Sequence, residues 1–110
     1  MMIASRVLTL RRSKGDTEIP IRIFAPDQEA DAWSCRYEIG WPEGEESKRA
    51  WGADSVQALL LVFSMIGAEL YSSSYHKEGV LMLEAPGKGY GFPVPSSLRD
   101  LLEGDDARYF

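Results

Sequence analysis

Apolar and polar positions alternate most cleanly in "WSCRYEIGW" (33–41), where Trp33, Cys35, Tyr37, Ile39 and Trp41 share one face and Ser34, Arg36, Glu38 and Gly40 the other. A period of two places successive side chains on opposite sides of a strand, so this segment predicts a strand with a heavily apolar side. The same period runs through "TEIPIRIF", where Ile19, Ile21 and Ile23 alternate with Glu18, Pro20, Arg22 and Phe24. The preceding "RVLTLRR" pairs with it through "SKGD", whose Gly15 and Asp16 supply turn chemistry. Pro20 has no N–H to give a ladder and predicts an edge strand or an open position. After the turn "PEGEE", "SKRAWG" (47–52) predicts a fourth strand beside the third.

The period then changes. From Val56 to Tyr71, 12 of 16 residues are apolar or aromatic, behind Asp54 as N-cap and Gln57 at capping-box spacing. At 100° per residue, Leu59, Val62, Phe63, Ile66 and Leu70 form one side, and that side predicts burial on the sheet. The opposite line runs through Gln57, Ser64 and Ala68, and Leu60, Leu61 and Tyr71 flank it. These flanking side chains need a cover. Either the C-terminal segment folds back with Leu98, Leu101 and Leu102, or a docked partner supplies it. Gly67 costs about 1 kcal/mol against alanine inside a helix, which fits the close approach of another backbone. The candidate interface is therefore Leu60, Leu61, Ser64, Gly67 and Tyr71. At about 24 Å the helix is short for a bilayer and bounded by Asp54 and Glu69, so a core helix is expected and no membrane.

"VLMLE" (80–84) predicts a fifth strand, and "APGKGYGFPVP" (85–95) a Gly/Pro-rich connection. "SSLRDLLEG" predicts a short helix, with Ser97 to Asp100 at capping-box spacing and Gly104 as its stop. The expectation is one α+β domain over residues 1–104, ending in an acidic tail at 105–110. Its elements run ββββαβα: a mostly antiparallel sheet of four to five strands, one long helix across a face and a short C-terminal helix.

Composition narrows the chemistry. The 110 residues carry a formal charge of −5, with eight Lys/Arg against nine Asp/Glu up to residue 49 and four against eight beyond it. Arg6, Arg11, Arg12, Lys14 and Arg22 lie on the first hairpin with acidic residues among them, so a solvated sheet face is expected and no nucleic acid. One cysteine, placed between Trp33 and Tyr37, suits a structural thiol in a reducing compartment, and the N-terminus lacks a signal-peptide pattern. A cytoplasmic protein is expected. A lone His76 in a polar turn and a single cysteine provide no metal-ligand spacing, and no cofactor is expected. "PGKGYG" lacks both the spacing and the following helix of a phosphate loop. Trp41, Trp51, Tyr90 and Phe92 are the candidate ligand-binding residues, as rings around a pocket beside the sheet.

Taken together, "RVLTLRR", "WSCRYEIGW", "WGADSVQALLLVFSMIGAEL" and "GYGFPVPSSLRDLL" resemble an uncharacterised family of short bacterial proteins. That family has an R-x-L-T-L strand, a C-x-Y-x-I strand, a G-x-D-S-x-Q-A-L helix start and a closing G-F-P. The resemblance spans Ile3 to about Leu102 and implies a bacterial domain of unknown function. A fainter resemblance is to HicB-type antitoxins, in which strands lead into a helix start that Gly52, Ser55 and Ala58 would match; no DNA-binding segment follows here. The function expected is a non-enzymatic protein–protein interaction or regulatory module, immunity- or antitoxin-like, acting as a homodimer or with a protein partner. The alternatives are a small-molecule or peptide binder and, third, an enzyme relying on carboxylates alone.

Overall fold

The computed structural model describes residues 1–110. The fold is α+β: a six-stranded antiparallel sheet, one long helix and short helices towards the C-terminus. The strands are β1 (Met2–Leu10), β2 (Thr17–Phe24), β3 (Asp27–Glu29), β4 (Ala32–Trp41), β5 (Gly44–Gly52) and β6 (Leu81–Met82). The helices are α1 (Ser55–Ser72), α2 (Ser74–Lys77) and α3 (Gly104–Tyr109), with a 3-10 helix over Ser96–Leu101. Packing divides the chain into two compact units. The first comprises Met1–Val7 with Ile19–Val62, the second Leu8–Glu18 with Phe63–Phe110.

In the first unit, β4 is the organising strand. It pairs along its length with β5, from Trp33↔Gly52 to Trp41↔Gly44. A strand has only two edges, so β2 and β3 share the other: β2 through Ile21↔Ile39 to Ile23↔Tyr37, β3 through Asp27↔Ser34 to Glu29↔Ala32. The period-two pattern sorts the faces as predicted. Ile19, Ile21, Cys35, Tyr37 and Ile39 are fully buried, together with Ala58 and Val62 of α1. The other face carries ion pairs, Arg22 with Glu45 at 3.0 Å and Arg36 with Glu38 at 2.6 Å, and the Arg36 guanidinium lies 3.8 Å from the centre of the Phe24 ring.

Of the two alternatives Pro20 allows, an edge strand or an open position, the edge is not observed: β2 lies between β4 and β1. The first β2–β4 pair is Ile21↔Ile39, so the missing N–H falls just outside that ladder. Gly40 beside it makes room for the ring, since a Cβ there would lie 2.8 Å from Pro20 Cγ. Strand β3 has no signature in the sequence, because Asp27–Glu29 is polar and carries no strand periodicity.

In the second unit, β6 pairs with the end of β1 through Thr9↔Met82 and Leu10↔Leu81. It is shorter than the predicted fifth strand; Leu83 and Glu84 turn away into the Gly/Pro-rich connection. Leu8, Leu10, Ile66, Leu70, Leu81 and Phe92 are among its buried side chains. Two expectations at the C-terminus are corrected. Residues 96–101 form a 3-10 helix without a side-chain cap, so the Ser97–Asp100 spacing does not act as a capping box. Residues 105–110 are not a frayed tail: Gly104–Tyr109 is helical and its Asp106 is 1% exposed. Gly104, at φ +58°, starts this helix; any side chain there would collide with the backbone of Lys88, whose carbonyl accepts the Asp105 N–H at 2.9 Å.

Candidate functional site

The start of α1 is built as the sequence implied. Asp54 Oδ1 accepts the Gln57 N–H at 2.7 Å, and Gln57 Oε1 reaches back to the Ala53 N–H at 2.6 Å. Two N–H groups at the helix start are thereby satisfied. Ala58, Val62, Ile66 and Leu70 fall on the fully buried line, while Val56, Leu60 and Leu61 point outward at 62%, 59% and 41% exposure. By length and composition this helix would serve to cross a membrane. Its buried line is that of a core helix.

The five residues of the predicted interface do not share one surface. Leu60 and Leu61 are exposed and Ser64 is half-buried, but Gly67 and Tyr71 are covered. A Cβ on Gly67 would collide with the Pro93 carbonyl oxygen and lie 3.2 Å from Val94 Cγ1, so the close backbone approach is intramolecular. Tyr71 is 2% exposed and donates its hydroxyl hydrogen to Asp106 Oδ2 at 2.6 Å. The C-terminal segment does fold back over α1, but only over its second half. The cover comes from Pro93, Val94 and Asp106, whereas Leu101 stays 44% exposed.

The predicted aromatic pocket is corrected as well. Tyr90 and Phe92 are interior side chains at 1% and 4% exposure, and Phe92 lies 6.5 Å from Phe63 between ring centres. Neither offers a ledge to a ligand. Trp41 is half-buried at the end of β4. Trp51 is 51% exposed and opposite Ser34 in register, hence on the sheet face away from Cys35 and Ile39.

A polar network invisible in the sequence lies in the second unit. The buried Asp106 carboxylate accepts three hydrogen bonds: from the Tyr71 hydroxyl, from the Tyr90 N–H at 2.7 Å and from the Gly91 N–H at 2.7 Å. The Tyr90 hydroxyl meets His76 Nδ1 at 2.5 Å, and Glu103 Oε1 lies 4.0 Å from the same nitrogen. Burial pushes the Tyr71 phenol well above its ordinary range, and its hydrogen bond to Asp106 adds to the shift. Burial does the same to Tyr90, helped by the charges of Glu103 and Asp106. Both phenols therefore stay protonated, as donors. With both oxygens of Asp106 already accepting, the network is a clasp that pins α3 to α1 and to the glycine-rich connection.

Cys35 is fully buried; its thiol donates to the Phe24 carbonyl at 3.2 Å, and desolvation raises its pKa. No group of three His, Cys, Asp or Glu side chains lies close enough together to hold a metal ion. Among the exposed apolar side chains, which include Ile3, Val7 and Trp51, those of α1 from Val56 to Leu61 cluster on one helix face that packing leaves uncovered.

A family model described as Domain of unknown function (DUF6968) matches residues 4–94. The chain belongs to that family. Neither a curated protein nor a solved structure matches it. The matched span of the DUF6968 domain includes all of α1 and the Pro93–Val94 cover, and it stops short of α3 and Asp106.

Proposed function

We propose that the protein is a binding module that docks through the N-terminal half of α1, and that the docked partner is a second copy of the same chain. One observation carries this reading: Val56, Leu60 and Leu61 stand exposed on a helix with no charged residue from Ser55 to Ala68, in a chain that is 26% charged. Exposed apolar side chains clustered in this way mark interaction surfaces.

The pattern is self-complementary. In an antiparallel pair of helices about a two-fold axis between Leu60 and Leu61, each leucine meets the other leucine of its copy. Gln57 then faces Ser64, and Val56 faces Met65. Polar meets polar and apolar meets apolar, as an isologous contact requires. The charge-free stretch matters because two chains of charge −5 repel each other, and here no like charges are forced together at the contact.

Light scattering at roughly 100 μM protein detects self-association stronger than about −5.5 kcal/mol. A dimer is expected, and Leu60→Glu should convert it to monomer by placing two carboxylates across the axis. A wild-type monomer at that concentration would overturn the proposal.

A further inference from the structure

The hairpin turn between β1 and β2 concentrates positive charge against the trend of the molecule. Arg11, Arg12 and Lys14 fall within four residues, in a chain with 17 acidic side chains and 12 basic ones. All three line one cleft of about 390 Å³ in the second unit. Its remaining lining includes Leu10, Tyr75 and Val80, with Glu78 as the single carboxylate. Pockets for small ligands start at roughly this size.

The turn is held in place by its backbone. The Arg11 N–H donates to the Val80 carbonyl at 2.8 Å, and the Gly15 N–H closes the turn on the Arg12 carbonyl at 3.1 Å. The Arg12 guanidinium carbon stands 6.0 Å from the centre of the Tyr75 ring. On the sheet, by contrast, Arg22, Arg36 and Lys48 are matched with Glu45, Glu38 and Glu46, and none of these pairs reaches the turn. Three cations against one carboxylate leave the cleft two positive charges in excess, beside an aromatic and aliphatic wall.

We propose that this cleft binds a small dianion bearing an apolar or planar group, either a phosphate monoester or a dicarboxylate. The two arginines offer forked donors matched to phosphate and carboxylate oxygens, and Lys14 adds a point charge. Two negative charges neutralise the excess. The ring of the ligand lies against Tyr75, Leu10 and Val80. This site is independent of the helix face proposed for docking, and no residue is common to the two.

The test titrates the full chain at low salt with phenyl phosphate, phthalate and inorganic phosphate, following amide resonances by NMR. Saturable shifts confined to residues 10–15 and 75–80 are expected, with phenyl phosphate or phthalate binding more tightly than inorganic phosphate. Whichever of the two aromatic dianions binds more tightly assigns the anion as phosphate or carboxylate. Arg12→Gln and Lys14→Gln, both on exposed side chains, should each weaken binding about tenfold and leave the melting temperature unchanged, whereas Lys77→Gln should not alter binding. Shifts that do not saturate, that lie elsewhere, or that persist at full affinity in Arg12→Gln would overturn the site. A ring that adds no affinity would overturn the part assigned to Tyr75.

Discussion

The two halves of α1 are both mostly apolar, seven of eight residues from Val56 to Phe63 and five of eight from Ser64 to Tyr71, and have opposite fates. From Val56 to Leu61 the outward side chains face solvent; from Gly67 to Tyr71 the corresponding positions are buried. The difference lies in what the rest of the chain brings to each half. Pro93 and Val94 close on Gly67, and Asp106 takes the Tyr71 hydroxyl, whereas the first half receives no such cover. An apolar helix face is thus a demand for cover, and this chain meets it in cis for only half the helix.

The comparison is broken most directly at Asp106. Asp106→Ala leaves the Tyr71 hydroxyl and two N–H groups without their acceptor, and a hydrogen bond to a charged group contributes about 1.5–3 kcal/mol. A loss of at least about 3 kcal/mol is expected in urea denaturation, with α3 amides losing exchange protection first. Gly67→Ala should come next. The helix-propensity gain of about 1 kcal/mol is outweighed by collision with the Pro93 carbonyl, and a net cost of about 1–3 kcal/mol is expected by the same measurement.

Alkaline pH probes the same half of the helix. Tyr71 and Tyr90 have phenols raised above their ordinary value near 10 by burial, so the folded state holds protons that the unfolded state releases. Their contribution to stability is complete below about pH 10 and declines as pH rises beyond it. Melting temperature should therefore fall above pH 10. Tyr71 and Tyr90 should ionise only as the protein unfolds, which phenolate absorbance reads directly. The smallest effect belongs to the uncovered half. Leu60→Gln should change the stability of the isolated monomer by no more than about 0.5 kcal/mol, measured at dilution, because the side chain is mostly exposed and little intramolecular burial is lost.

Much of the fold was legible from local pattern. The alternation of Ile19, Ile21 and Ile23 and of Cys35, Tyr37 and Ile39 named the buried faces, and Asp54 with Gln57 marked the helix start at the observed place. The candidate site was legible in part. Leu60 and Leu61 fall outside the stripe that a sheet would bury, and both are exposed. Gly67 and Tyr71 share the same side of the helix by periodicity and yet are buried; helical periodicity does not distinguish a face covered from within from one open to a partner. The Gly/Pro-rich segment that holds Tyr90 and Phe92 suggests a surface loop, whereas the connection carries both rings into the interior. Asp106 gave no signal: an acidic residue near the C-terminus has the composition of a solvated tail.

Local pattern specifies which residues alternate, where α1 begins and that Val62, Ile66 and Leu70 are buried along it, because these follow from neighbours a few positions apart; Ala58 joins that line while Leu59 and Phe63 are only half-buried. How the outer face is divided and what Asp106 does follow from long-range packing alone. Tyr71 and Asp106 are 35 residues apart and Gly67 meets Pro93 across 26, and such contacts depend on where loops and short helices carry the chain rather than on any local period. A buried carboxylate is tolerable only when donors converge on it, and that convergence is a property of the folded chain.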